Sequence, residues 1–119
     1  METTAIANEI EKKIKEIDQI RGALRERGEK KATTISEYEK KVAVTMIKLK
    51  NGFTFELEGC KIDNPPASTT EKIARGICWQ EKLEMEKAEA AYKSVVVNLD
   101  AVLSQLNAYQ SLNRHLKDF

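Results

Sequence analysis

From Thr69 to Asp118 the chain contains no proline and a single glycine, Gly76. Fifty residues without a strong helix breaker read as one long helix over about 69–117, roughly 75 Å at 1.5 Å per residue. Gly76 and the run EKLEMEK are the places where it would bend. Ser68 followed three residues later by Glu71 has the spacing of a capping box, where each side chain satisfies a free backbone amide at the helix start. The second half of the segment carries a heptad seam of Tyr92, Val95, Leu99, Val102, Leu106, Tyr109, Asn113 and Leu116 at alternating steps of three and four. Between Ala88 and Asn113 only Glu89, Lys93 and Asp100 are charged. A helix with one buried stripe normally displays charge on its other faces, so this poverty of charge implies cover on more than one side. In a chain of 119 residues the expected cover is helix 1 on one side and another subunit on the other.

The N-terminal part follows the same logic. Ile6, Ile10, Ile14, Ile17, Ile20 and Leu24 recur at threes and fours among charged residues, which predicts an amphipathic helix over about 4–27. Gly28 and the run GEKKATT are expected to end it. The stretch MIKLKNGFTFELEG then admits two readings, with Asn51-Gly52 as a hairpin turn or as the end of a helix. A two-residue hairpin would set Lys50 against Phe53 and Lys48 against Phe55, a poor register; a three-residue loop does better, with Leu49 against Phe53. The helical reading accounts for more residues. Ser36 and Glu39 form a capping-box pattern, Tyr38, Val42, Met46 and Leu49 follow at helical spacing, and Gly52 falls where a left-handed cap belongs. A second helix over about 37–51 is therefore expected, followed by a hairpin over about 53–62 that turns at Glu58-Gly59. The fold class is mainly α: long antiparallel, coiled-coil-like helices with one small β-hairpin, in a single oligomeric domain.

Net charge is +1 at neutral pH, with 12 basic and 9 acidic residues in positions 1–50 and 8 and 10 in the remainder. No global field draws such a chain to nucleic acid or an anionic membrane. Cys60 and Cys78 form no Cys-x-x-Cys pair and the chain has one histidine, so neither a metal site nor a cofactor is expected. The N-terminus lacks an apolar signal core and no run reaches the length of a membrane helix. A cytoplasmic protein with reduced thiols is expected.

No catalytic constellation stands out. The carboxylates fall in helix-face pairs with lysines, such as Glu9 with Lys13 and Glu11 with Lys15. Cys78, in phase with Ile73 and Ile77, reads as a buried structural thiol rather than a reactive one. Trp79, one turn past Arg75 and two past Lys72, is either an aromatic anchor for a base or partner or, more commonly for a lone tryptophan, part of core or interface packing. In QLNAYQSLNRH, Asn107, Gln110 and Arg114 share one helix face and offer amides beside a planar cation, a face able to recognise a nucleotide, a phosphate or a partner's backbone. The plainer reading has Asn113 fixing helix register and its neighbours solvated.

The segments SEYEKKVAVTMIKLKNG, NPPASTTEKIARGICWQE, AEAAYKS and LNAYQSLNRHL resemble a group of small, uncharacterised helical proteins of phages and prophages of Gram-positive bacteria. The resemblance covers most of residues 36–116 and little of 1–35. It implies a phage origin, a helical fold and the cytoplasm of an infected bacterial host, and it carries no reaction or active site with it. Phage proteins of this size are often stoichiometric binders. The expected function is thus a non-enzymatic inhibitor of host antiviral defence, occluding a defence protein or sequestering its nucleotide signal. The candidate binding residues are Lys72, Arg75, Trp79, Asn107, Gln110 and Arg114. An accessory of single-stranded DNA replication or recombination, and a purely structural assembly protein, are the alternatives.

Overall fold

The computed structural model describes residues 2–117. It is mainly helical: α1 (Thr3–Lys50), a hairpin of β1 (Phe55–Leu57) and β2 (Cys60–Ile62), a 3₁₀ turn (Ala67–Thr69), α2 (Thr70–Ile77) and α3 (Trp79–Lys117). Long helices and one small hairpin are the architecture read from the sequence. Packing divides the described residues into two compact units, one of residues 2–29 with 90–117 and one of residues 30–89.

The expected break between two N-terminal helices does not occur. α1 runs without interruption for 48 residues, through Gly22, Gly28 and the whole of GEKKATT. A glycine in a helix interior costs only about 1 kcal/mol relative to alanine, and the segment holds no proline. The inward stripe crosses it: Leu24, Gly28, Lys31, Thr34 and Tyr38 are all buried or half-buried. Ser36 and Glu39 are therefore exposed interior positions of α1 and not a helix start.

In the first unit Ile6 and Ile17 are buried, and Ile10, Ile20 and Leu24 are half-buried. Ile14 departs from the expected stripe and is 47% exposed. Lys13 takes the inward position instead, its side chain only 16% exposed and its ammonium 3.5 Å from Glu16, as expected of a cation that buries its methylene stem. On α3 all eight seam residues from Tyr92 to Leu116 are buried or half-buried. A Cβ built on Gly28 would meet the Tyr92 ring at 3.5 Å, an ordinary contact, so Gly28 is tolerated here and not demanded by space.

The second unit is antiparallel. As residue numbers rise along α1 they fall along the returning chain: Tyr38 lies by Lys82, Lys41 by Glu81 and Thr45 by Cys78. Its core joins Tyr38, Val42, Leu49, Ala74 and Cys78, with Met46, Phe55, Ile62, Ile73, Ile77 and Met85 packed around them.

The end of α1 answers the ambiguity of NGFTF. Gly52 has φ +83°, its N–H donates to Leu49 O at 3.2 Å, and the Phe53 N–H donates to Lys48 O at 3.0 Å. These are the two bonds of a Schellman cap, which needs a left-handed residue at the position Gly52 fills. Lys48 Nζ lies 6.0 Å from the centroid of the Phe53 ring. The hairpin then turns at Glu58 and Gly59, both at positive φ, as a two-residue type I′ turn requires. Its register pairs Phe55 with Ile62, Glu56 with Lys61 and Leu57 with Cys60. Phe55, Leu57 and Ile62 share one half-buried face, since side chains alternate along a strand.

The long C-terminal helix is interrupted near Gly76, one of the two places where a bend was expected, by a single residue, Cys78, at φ −89° and ψ 26°. The hydrogen-bond ladder nearly survives: the Cys78 N–H donates to Ala74 O and its carbonyl accepts from the Lys82 N–H, each at 3.1 Å. The expected capping box of Ser68 and Glu71 does not form. The Pro66 carbonyl instead accepts from the Thr69 N–H at 2.9 Å, the Thr69 hydroxyl at 3.0 Å and the Thr70 hydroxyl at 3.2 Å, while Glu71 turns to Arg75.

Candidate functional site

The six candidate residues fall into two sets, one on each unit. Lys72, Arg75 and Trp79 belong to the second unit, and Asn107, Gln110 and Arg114 to the first.

In the second unit α2 carries Arg75 toward α1. Its guanidinium donates to Glu71 Oε1 at 2.9 Å and over a longer 3.4 Å to the Tyr38 hydroxyl. The Glu71 bond first, and the Tyr38 bond second, raise the Arg75 pKa further above its ordinary value. Lys82 Nζ lies 5.4 Å from the Tyr38 ring centroid, within the range of a cation–π contact. Tyr38 thus stands between two cations. Beside it opens a cavity of about 300 Å³ lined by Tyr38, Glu39, Val42, Ala43, Met46 and Arg75, an apolar floor with one cation and one carboxylate.

Lys72 and Trp79 do not line that cavity. Both are exposed, and Trp79 holds 48% of its surface in water. Of core or interface packing, this exposure removes the core alternative for Trp79 and does not bear on the interface one. Cys78, four residues after buried Ala74, takes the inward position at 0% exposure, with Thr45 Oγ1 at 3.5 Å, and the next side chain is left outside. Cys78 is the buried structural thiol that its phase predicted.

In the first unit Gln110 and Arg114 come together with Asn113 around an open depression of about 360 Å³. Asn107 is exposed but does not line it. Asn113 Oδ1 is buried without a hydrogen-bond partner, so the seam amide does hold one side of itself away from water.

A feature invisible in the sequence joins α1 to α3. Lys41 Nζ and Glu81 Oε1 form a close ion pair across 40 positions, while Glu81 Oε2 is buried and unpartnered. Glu81 also lines a small cavity of about 110 Å³ with Thr34, Glu37, Gln80 and Glu84. The Lys41 hydrogen bond is the largest influence holding the Glu81 carboxyl below its ordinary 4.5, and the same bond holds Lys41 above 10.5. A depressed carboxyl stabilises the fold above its unfolded pKa and loses that contribution as pH falls through the folded value; a raised ammonium stabilises below its unfolded pKa and loses it as pH rises. Glu81→Gln is expected to destabilise the protein by about 0.5–1 kcal/mol near neutral pH, as for a half-exposed pair. Urea titrations of both proteins should show the difference vanishing as pH falls below 4.5. A difference that persists in acid would contradict the ion pair.

Among the described residues no helix is long and apolar enough to cross a membrane, and no group of three or more His, Cys, Asp or Glu could hold a metal ion. Comparison of the chain with models of protein families, with curated proteins and with solved structures gives no match.

Proposed function

We propose that this protein is a non-enzymatic, oligomeric, phage-type binding protein that acts in the cytoplasm of an infected bacterium and inhibits host antiviral defence by occluding a defence protein. One observation carries the binding reading: the second unit holds large apolar side chains in water. Trp79 is 48% exposed and Leu83, one turn on, 42%, while Val44 and Ile47 on α1 are 40% and 59% exposed and Phe53 56%. Trp79 with Leu83 on α3 and Val44 with Ile47 on α1 are each about one turn apart, so each pair exposes adjacent apolar side chains of the kind that interaction surfaces are built from, and tryptophan and arginine are the side chains most often decisive in them. Lys72 and Arg75 supply cations on the same unit. The phage assignment is supported by the resemblance of residues 36–116 alone.

Sequestration of a nucleotide signal is the second reading, favoured by the cavity where the Tyr38 ring and the Arg75 guanidinium meet. A DNA accessory role is disfavoured by the near-neutral charge, since such binding draws on released counterions.

The test is affinity capture of the full chain from a Gram-positive host, with mass spectrometry of proteins and small molecules. Occlusion predicts one stoichiometric host protein whose affinity falls about 30-fold or more in Trp79→Ala, as for a central interface tryptophan. Sequestration predicts a released nucleotide that raises the melting temperature of the purified protein and is lost in Arg75→Ala. Capture of neither overturns the proposal.

A further inference from the structure

Between Ala90 and Asn113 the only charged residues are Lys93 and Asp100. The seam residues of α3 face into the first unit. On the opposite side Ala90, Ser94, Val97, Ala101, Ser104 and Ala108 recur at steps of four and three, and all are exposed. Val97 is 68% exposed, and Leu112, further along the same side, 40%. A helix face turned permanently to water has no use for this uncharged repeat, whose spacing is that of a second coiled-coil seam.

The two charges state what covers it. Lys93 and Asp100 lie seven residues apart, two turns, and so share one edge of this face. We propose that the face pairs with the same face of a second copy of this chain, antiparallel, about a two-fold axis beside Val97. A two-fold of that kind brings matching edges together and reverses their direction. Lys93 of each copy then meets Asp100 of the other, two complementary contacts from a single pair of residues, while Val97 meets Val97 at the centre. Parallel pairing about a two-fold puts the two charged edges on opposite sides of the pair, where Lys93 and Asp100 face the uncharged edge of Ser94 and Ala101, so the charges select the direction as well as the partner. Lys93 also interacts within its own chain, so the second copy shares this cation. Alanine and serine along the contact bring helix axes to the close end of the usual 8–10 Å range. The proposal deepens the oligomeric part of the function proposed above and rests on that part alone.

Light scattering and sedimentation of the full chain test it. The expected mass is twice the 13.5 kDa of one chain. Asp100→Lys and Lys93→Asp each weaken the dimer at least tenfold, and the double reversal restores it, with helix content by circular dichroism unchanged throughout. In a Cys60→Ser background, Val97→Cys forms a disulfide-linked dimer on mild oxidation, whereas Leu103→Cys, about 120° round the helix, does not. A 13.5 kDa species at every concentration overturns the proposal, as does a double reversal no tighter than the single changes. If Asp100→Lys stays monomeric like its parent but releases a captured host protein, the face belongs to that protein and the second copy is refuted. A monomer that still captures its host partner through Trp79 leaves the binding reading standing without this one.

Discussion

Replacing exposed Ala32 with proline is expected to destabilise the protein by about 3 kcal/mol or more, and Ala32→Gly by about 1 kcal/mol. Ala32 touches no core and lies in GEKKATT, a stretch whose composition suggests a loop. Surface substitutions in loops usually stay within about 0.5 kcal/mol. α1, however, runs from Thr3 to Lys50 without a break, so Ala32 sits deep inside a continuous ladder. Proline there removes one hydrogen bond and drives its ring against the carbonyl four residues back. The order Pro, Gly, Ala in urea titrations, with helix content following, is the signature of an unbroken helix. Equal stability of the three proteins would place residue 32 in a loop and return the chain to two N-terminal helices.

The loop-like composition of GEKKATT and the helix that crosses it show what a single sequence conveys. The cap at Gly52 and the turn at Glu58-Gly59 were legible because each depends on local backbone geometry that a few residues dictate. The seam from Tyr92 to Leu116 was legible because burial on one face imposes a period. GEKKATT misled because helix ends are decided by the balance of propensity against packing. One glycine weakens a helix by too little to end it when an inward stripe continues on both sides. The capping-box patterns at Ser36 and Ser68 failed for a related reason: Ser-x-x-Glu also occurs wherever a helix carries polar surface, and at Thr69 and Thr70 the Pro66 carbonyl offered nearer partners.

The candidate site was legible in kind but not in grouping. Arg75 and Trp79 are close in sequence, yet Trp79 lies outside the cavity that Arg75 lines. No local pattern encodes that separation. Lys41 with Glu81 was beyond reach because the partners meet only through the antiparallel return of the chain, and each has several equally placed alternatives on its own helix. Ile14 and Lys13 traded places on the stripe because a lysine stem fills an inward position nearly as well as isoleucine once its ammonium reaches water.

Leu49→Ala is expected to cost about 3 kcal/mol, within the range of buried leucines, whereas Ile47→Ala two residues earlier should cost less than about 0.5 kcal/mol. Both are large aliphatic residues in the last turn of α1, and only their direction differs. Leu49 is 2% exposed and Ile47 59%. Leu49 belongs to the cluster of Tyr38, Val42, Ala74 and Cys78 against which Phe55 and Ile62 of the hairpin pack, and its carbonyl receives the Gly52 N–H of the cap. Truncation removes contacts to α2 and the hairpin at once and leaves a cavity that a two-stranded sheet, marginal by itself, is poorly able to fill. Hydrogen exchange should therefore show the hairpin amides losing protection in Leu49→Ala and keeping it in Ile47→Ala. Equal losses would mean that the hairpin is not held through Leu49. The contrast matters for function as well: Ile47 remains in water at no gain to the fold, so a defect of Ile47→Ala in partner capture, at unchanged stability, would be a defect of binding.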